Sequence, residues 1–277
     1  MKWIHALQQI TPQHDHILMN VSVFGLVKSL KLIFDRNFVA DAVIREISRD
    51  LDIRQNMADR LRQLRDYEVV IVCDDSGSMR TPVDNSKRTR WDELCEIVKI
   101  VIKIGVVFDS NGVDIHFLNR PSFPNVKDPR VVEKVFERPP SGYTPLVPVL
   151  KRIFASSITA RHRDKKVLVF VATDGIPTDN NGNSDLDEFR RCMQENRRIE
   201  TTHVSFLLCT DEPECVEYMR KWDEEMDNVD VTDDFHTERD RIRQCRKNKS
   251  YAFSYGDYVV KALVGAIDAE MDALNEF

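Results

Sequence analysis

In Val69-Val70-Ile71-Val72-Cys73-Asp74-Asp75-Ser76-Gly77-Ser78-Met79, five apolar residues run into two carboxylates and then a Ser-Gly-Ser turn. The apolar run is short, mostly β-branched and does not alternate, which predicts a strand buried on both faces of a parallel sheet. The polar cluster falls where such a strand ends, and open α/β sheets bind ligands at the carboxyl ends of their strands. Asp74, Ser76 and Ser78 thus put one carboxylate and two hydroxyls on a tight loop. These are hard oxygen donors, suited to magnesium, manganese or calcium and not to zinc.

Serine and aspartate are also ordinary turn residues, so the triplet alone is a weak signal. Two further pieces follow it. Gly142-Tyr143-Thr144-Pro145-Leu146 brings a third hydroxyl in a loop marked by Gly and Pro, and Lys166 to Thr173 is a second apolar strand that runs into Asp174-Gly175. Together these pieces resemble the von Willebrand factor type A family and its metal-ion-dependent adhesion site. That family's pattern is Asp-x-Ser-x-Ser, then Thr in a Gly-x-Thr-Pro loop, then a strand ending Thr-Asp-Gly. The resemblance assigns the site to Asp74, Ser76, Ser78, Thr144 and Asp174. It implies a Rossmann-like α/β fold and a bound magnesium ion (Mg2+), with Mn2+ or Ca2+ as alternatives. It also implies metal-dependent binding of a partner protein that supplies an Asp or Glu side chain, and no turnover. In the family the serines and threonine lie nearer the ion, and the aspartates act largely through water. Relatives often carry Glu where this chain has Ile176, so the rim is expected to be less acidic here.

Along the chain, strand and helix alternate through most of residues 67–277, which predicts a mainly parallel central sheet with helices on both faces. Residues 1–66 read as a helical N-terminal extension. Within it, Asn37 is a candidate N-cap for a helix to about Ser48, and a second helix spans about Arg54 to Arg65. His14-Asp15-His16 has no third ligand in view and reads as surface. Beyond the first strand, Thr89 is an expected N-cap, with Asp92 and Glu93 in the first turn of a helix to about Phe108. Val113 to Phe117 alternates as a half-buried strand. Pro121 to Asn125 reads as loop, and residues 233–255 as charged and irregular. A final helix is expected from Gly256-Asp257 to Leu274.

The net charge of −6 over 277 residues argues against nucleic acid. Thirteen acidic and three basic residues lie between Asp211 and Asp240; the simpler reading is a solvated helix face, the sharper one a surface for a basic partner. No stretch reads as a membrane span or as a signal-peptide core. No Cys-x-x-Cys occurs among the six cysteines. These features suggest an intracellular, cytoplasmic protein. Two other functions stay open on sequence alone. One is a metal-dependent hydrolase using the same loop, although no Gly-x-Ser-x-Gly elbow is present. The other is a scaffold of this fold whose metal site is unused. Nucleotide hydrolysis is disfavoured, because there is no Walker-type phosphate loop.

Overall fold

The first strand, β1, covers Tyr67–Cys73 and is buried along nearly its whole length, as its apolar run predicts. The computed structural model describes residues 40–83, 87–159 and 165–275. In these, β1 lies between β2 (Val113–Phe117) and β4 (Lys166–Thr173) and runs parallel to both. Six strands form one sheet in the order β3-β2-β1-β4-β5-β6. β5 is Thr202–Leu208 and β6 is Val229–Thr232, and both continue the parallel run. β3 (Phe123–Val126) is antiparallel to β2 at the edge. That strand occupies a segment read as loop. Pro124 cannot donate to a ladder and Asn125 sits at φ +55°, features that an edge strand tolerates and a central one does not.

Because side chains alternate along a strand, the sheet has two buried faces. On one face Val70, Val72, Val169, Val171, Val204, Phe206 and Val231 pack against helices α5 (Leu146–Thr159), α6 (Leu186–Arg191) and α7 (Pro213–Glu225). Leu150, Phe154, Phe189, Met219 and Trp222 supply the helix side of that layer. The other face, with Ile71 and Phe170 wholly buried, carries α3 (Arg90–Phe108) and α9 (Tyr255–Val264). Each fully buried side chain of this size contributes about 1.5–3 kcal/mol through removal from water.

Helix α3 begins at a complete capping box: Thr89 Oγ1 accepts from the backbone of Asp92, and the Asp92 carboxylate accepts from the backbone of Thr89. The short helix α4 is Arg130–Phe136, and Trp91 stacks on Phe136 with ring centroids 4.1 Å apart.

The described chain is helical over residues 40–50, which we label α1. The predicted cap at Asn37 and the histidine pair at 14–16 lie outside the described residues. From residue 44 onward the described chain belongs to one compact unit. Part of the stretch read as an N-terminal extension, residues 55–66, packs into the core of this unit. Helix α2 (Gln55–Arg60) and the 3-10 turn Leu61–Asp66 bring Met57, Leu61 and Leu64 fully into the core. Arg54 also binds Asp257 at the start of α9, at 2.6 Å.

Two more segments differ from expectation. Helix α8 (Phe235–Cys245) lies within the stretch read as irregular, capped by Asp234 through the amides of His236 and Thr237. The final helix is broken: α9 ends at Val264, a 3-10 turn covers Gly265–Ile267, and Asp268 caps a new short helix, α10 (Ala269–Asp272). The acidic run is also less solvated than a helix face would be. Asp230, Asp233 and Glu238 are buried, with cationic partners in Lys261, Arg220 and Arg241. No helix among the described residues is long and apolar enough to cross a membrane.

Candidate metal centre

The strand order reverses direction at β1 and β4: the chain leaves β1 toward β2 on one side and β4 toward β5 on the other. Such a switch point opens a crevice at the carboxyl ends of the two strands. Asp74 follows the last residue of β1, and Asp174 follows the last residue of β4. The parallel register Cys73↔Ala172 brings both carboxylates to the same rim.

Both oxygens of Asp74 are held. Oδ1 accepts from the backbone of Ser76 at 2.8 Å, and Oδ2 from the hydroxyl of Thr173 at 2.6 Å. Ser76 Oγ lies 3.0 Å from Ser78 Oγ, and Ser78 Oγ donates to Asp174 Oδ1 at 2.8 Å. Four of the five predicted residues therefore stand in one connected cluster. Thr144, the fifth, is buried and reaches the same place through its loop. Its hydroxyl lies against Gly175, where an added Cβ would be 3.5 Å away. Its own backbone is fixed by the Thr178 hydroxyl at 2.9 Å. Two backbone bonds tie that loop to the serine loop: Gly77 donates to the Gly142 carbonyl at 3.1 Å, and Ser141 to the Asp75 carbonyl at 2.7 Å. Gly142 is needed there, since its φ is +113° and a Cβ would clash with Asn119.

The adjacent carboxylates have separate tasks. Asp75 accepts from the backbone of Asn119 at 2.8 Å and from Arg120 Nε at 2.6 Å, so it anchors the chain leaving β2 and is turned away from the serines. Asp74 is wholly buried, and that burial, with the charge of Asp174 next, pushes its carboxyl up to about 7. A cation in the crevice would favour its ionised form. Asp179, near the site in sequence, is engaged with Asn181 and Asn183 in its own loop.

The donor set fits a hard divalent cation. Ser76, Ser78 and Thr144 offer neutral hydroxyl oxygens, and Asp74 and Asp174 offer the compensating charge. Sequence reading passed over one member of the site. Arg90, the first residue of α3, places Nη1 2.9 Å from Asp174 Oδ2 and Nη2 2.8 Å from the Thr210 hydroxyl and 2.7 Å from Glu212 Oε1. The contact to Asp174 spans 84 residues, and no local pattern announces it. Thr173, which orients Asp74, was visible only as the first residue of Thr-Asp-Gly.

No family model matches this chain, and no curated protein matches it. Among solved structures it is similar to the pilus adhesin SpaC from Lactobacillus rhamnosus GG, with a TM-score of 0.40 and 14% identity. That likeness covers 76% of this chain and 30% of the adhesin, so the chain spans less than a third of the adhesin's length. A match at this level bears on neither family nor activity.

Proposed function

We propose that this chain is an intracellular module of the von Willebrand factor type A kind, which binds a divalent cation and through it an acidic side chain of a protein partner. The observation that carries the reading is the hydrogen-bonded run Ser76–Ser78–Asp174 across the ends of two neighbouring parallel strands. Ser76, Ser78 and Thr144 would hold Mg2+ or Mn2+ by their hydroxyls, with Asp74 and Asp174 behind them through water. When bound, the cation supplies an incompletely neutralised position that a carboxylate completes.

The chain's own residues support binding over turnover. His116 is bonded to Ser122 at 2.9 Å, and His203 to the carbonyl of Ala266 at 2.9 Å, so neither ring is directed to the serines as a base. Tyr143, next to Thr144, is 54% exposed with its ring against Gly182, and a half-open aromatic at the rim suits a protein contact. All six cysteines are free thiols, in keeping with a reducing compartment.

The test is Mn2+ titration by calorimetry on the wild type and on the double variant Ser76→Ala plus Ser78→Ala, followed by an acidic peptide on the loaded proteins. The wild type is expected to bind Mn2+ and then the peptide. The variant is expected to lose both while keeping its circular dichroism and urea midpoint. Equal Mn2+ affinity in the two proteins, or none in the wild type, would overturn the reading.

A further inference from the structure

We propose that Arg90 is a tethered cation that competes with the divalent metal for Asp174 and so sets the affinity of the site. The proposal rests on the metal-centre reading above and concerns its regulation. The guanidinium is mostly buried and fixed on three sides, by Asp174, Thr210 and Glu212. Arginine stays charged at any ordinary pH, so this is a permanent positive charge. It takes Oδ2 of Asp174, while Ser78 takes Oδ1.

Two consequences follow from charge. Asp74 and Asp174 can together bring at most two negative charges to the crevice, and Arg90 offsets the one on Asp174. A divalent ion entering beside a fixed cation is repelled by it, in a buried setting where water screens little. A carboxylate from a partner restores the missing charge. Metal and acidic ligand then bind with positive coupling, each raising the other's affinity by the same factor. Glu212 tunes the competition from the outside. Its carboxylate is well exposed and shares Arg90 with Asp174, which weakens the hold of Arg90 on the metal ligand.

A purely structural Arg90 would predict the reverse, since removing a strut from Asp174 can only loosen the donors. The deciding experiment is Mn2+ titration of the full chain as wild type, Arg90→Gln and Arg90→Lys, with circular dichroism to confirm folding. Arg90→Gln is expected to bind Mn2+ about tenfold more tightly, and Arg90→Lys, which keeps the charge, to stay near wild type. Unchanged or weaker binding in a folded Arg90→Gln overturns the proposal. Absence of Mn2+ binding in both wild type and Arg90→Gln would instead sink the metal centre itself. Should Arg90→Gln fail to fold, Glu212→Gln carries the test. It leaves Asp174 as the one carboxylate on Arg90 and is expected to weaken Mn2+ binding several-fold, and an unchanged affinity would count against the competition.

Discussion

Lys261 Nζ lies 3.2 Å from Asp230 Oδ1, and both side chains are wholly buried. Glu238 stands 3.5 Å from the same ammonium, and the Thr232 hydroxyl 3.4 Å. Burial works against the lysine's charge, but the carboxylates of Asp230, Glu238 and Asp223 outweigh it and hold the group above the ordinary lysine range. This cluster joins α9 to β6 and α8 at the edge of the sheet away from the metal crevice. Lys261→Met would leave buried carboxylates without their cation. We expect it to cost about 3–5 kcal/mol in urea unfolding at neutral pH. A loss under 1 kcal/mol would mean that protonation or water already neutralises the group.

Asp223 belongs to the same cluster, where Asp223, Asp230 and Asp272 bring carboxylate oxygens within 4.8 Å of one another. Burial, then the charges of Asp230 and Asp272, pushes Asp223 up to about 8. Its pKa is thus raised on folding above the usual carboxylate value, and the folded chain holds a proton that the unfolded chain has released. The stabilisation is complete below about pH 4, the unfolded range, and fades as pH climbs through about 8. Stability measured by urea should therefore fall across that window. Asp223→Asn, which can still accept from the Val231 amide, should flatten the slope and gain most above pH 8. An unaltered slope in the variant would assign the pH dependence to another group.

Much of this architecture was legible in the sequence, and the exceptions have physical causes. The segments Val69 to Cys73 and Lys166 to Thr173 read as strands because both faces are covered and the apolar run is unbroken. Thr89 and Asp92 announced α3 because a capping box is a local device. Helix α8 escaped because the residues it buries include Glu238 as well as Ile242, and a buried charge with a partner on another helix looks polar in any hydrophobic pattern. The break after Val264 escaped for the opposite reason, since the apolar spacing continues through Leu274 although the helix does not. Asp74, Ser76, Ser78, Thr144 and Asp174 could be put forward as candidates because the Asp-x-Ser-x-Ser, Gly-x-Thr-Pro and Thr-Asp-Gly pieces resemble a known family pattern. The bonds that join them, such as Thr173 to Asp74 and Gly77 to Gly142, are long-range and have no sequence signature.

Gly265 supplies a third prediction. A Cβ built there would lie 2.2 Å from Asp230 Cγ, closer than any side chain tolerates. The glycine lets the backbone at the end of α9 close over the Asp230 carboxylate. Gly265→Ala should push the carboxylate or the turn aside and cost about 1–3 kcal/mol by urea unfolding. The expected companion effect is greater hydrogen exchange at the amides of α9 and the following turn, and a variant as stable as wild type would show that the turn moves freely.

The neighbouring carboxylates Asp74 and Asp75 offer the sharpest contrast, because one step along the chain separates two different jobs. Asp75 holds Arg120, whose guanidinium lies 5.0 Å from the Trp91 ring and 5.4 Å from that of Phe117, so removal of the carboxylate strands a buried cation. Asp75→Ala should cost about 3 kcal/mol of stability. Part of the loss is offset, since Arg120 also donates to the carbonyls of Val135, Arg138 and Pro139. What remains folded should still bind Mn2+, because Asp75 faces away from Ser76 and Ser78. Asp74→Ala should do the opposite. It removes a buried carboxylate whose charge is disfavoured without a cation but leaves the Ser76 amide and the Thr173 hydroxyl without their acceptor, so the stability loss should stay below that of Asp75→Ala while Mn2+ binding is lost. Calorimetry and urea titration on the two variants separate the roles. Loss of Mn2+ binding in a folded Asp75→Ala, or its retention in Asp74→Ala, would contradict this division between anchor and ligand.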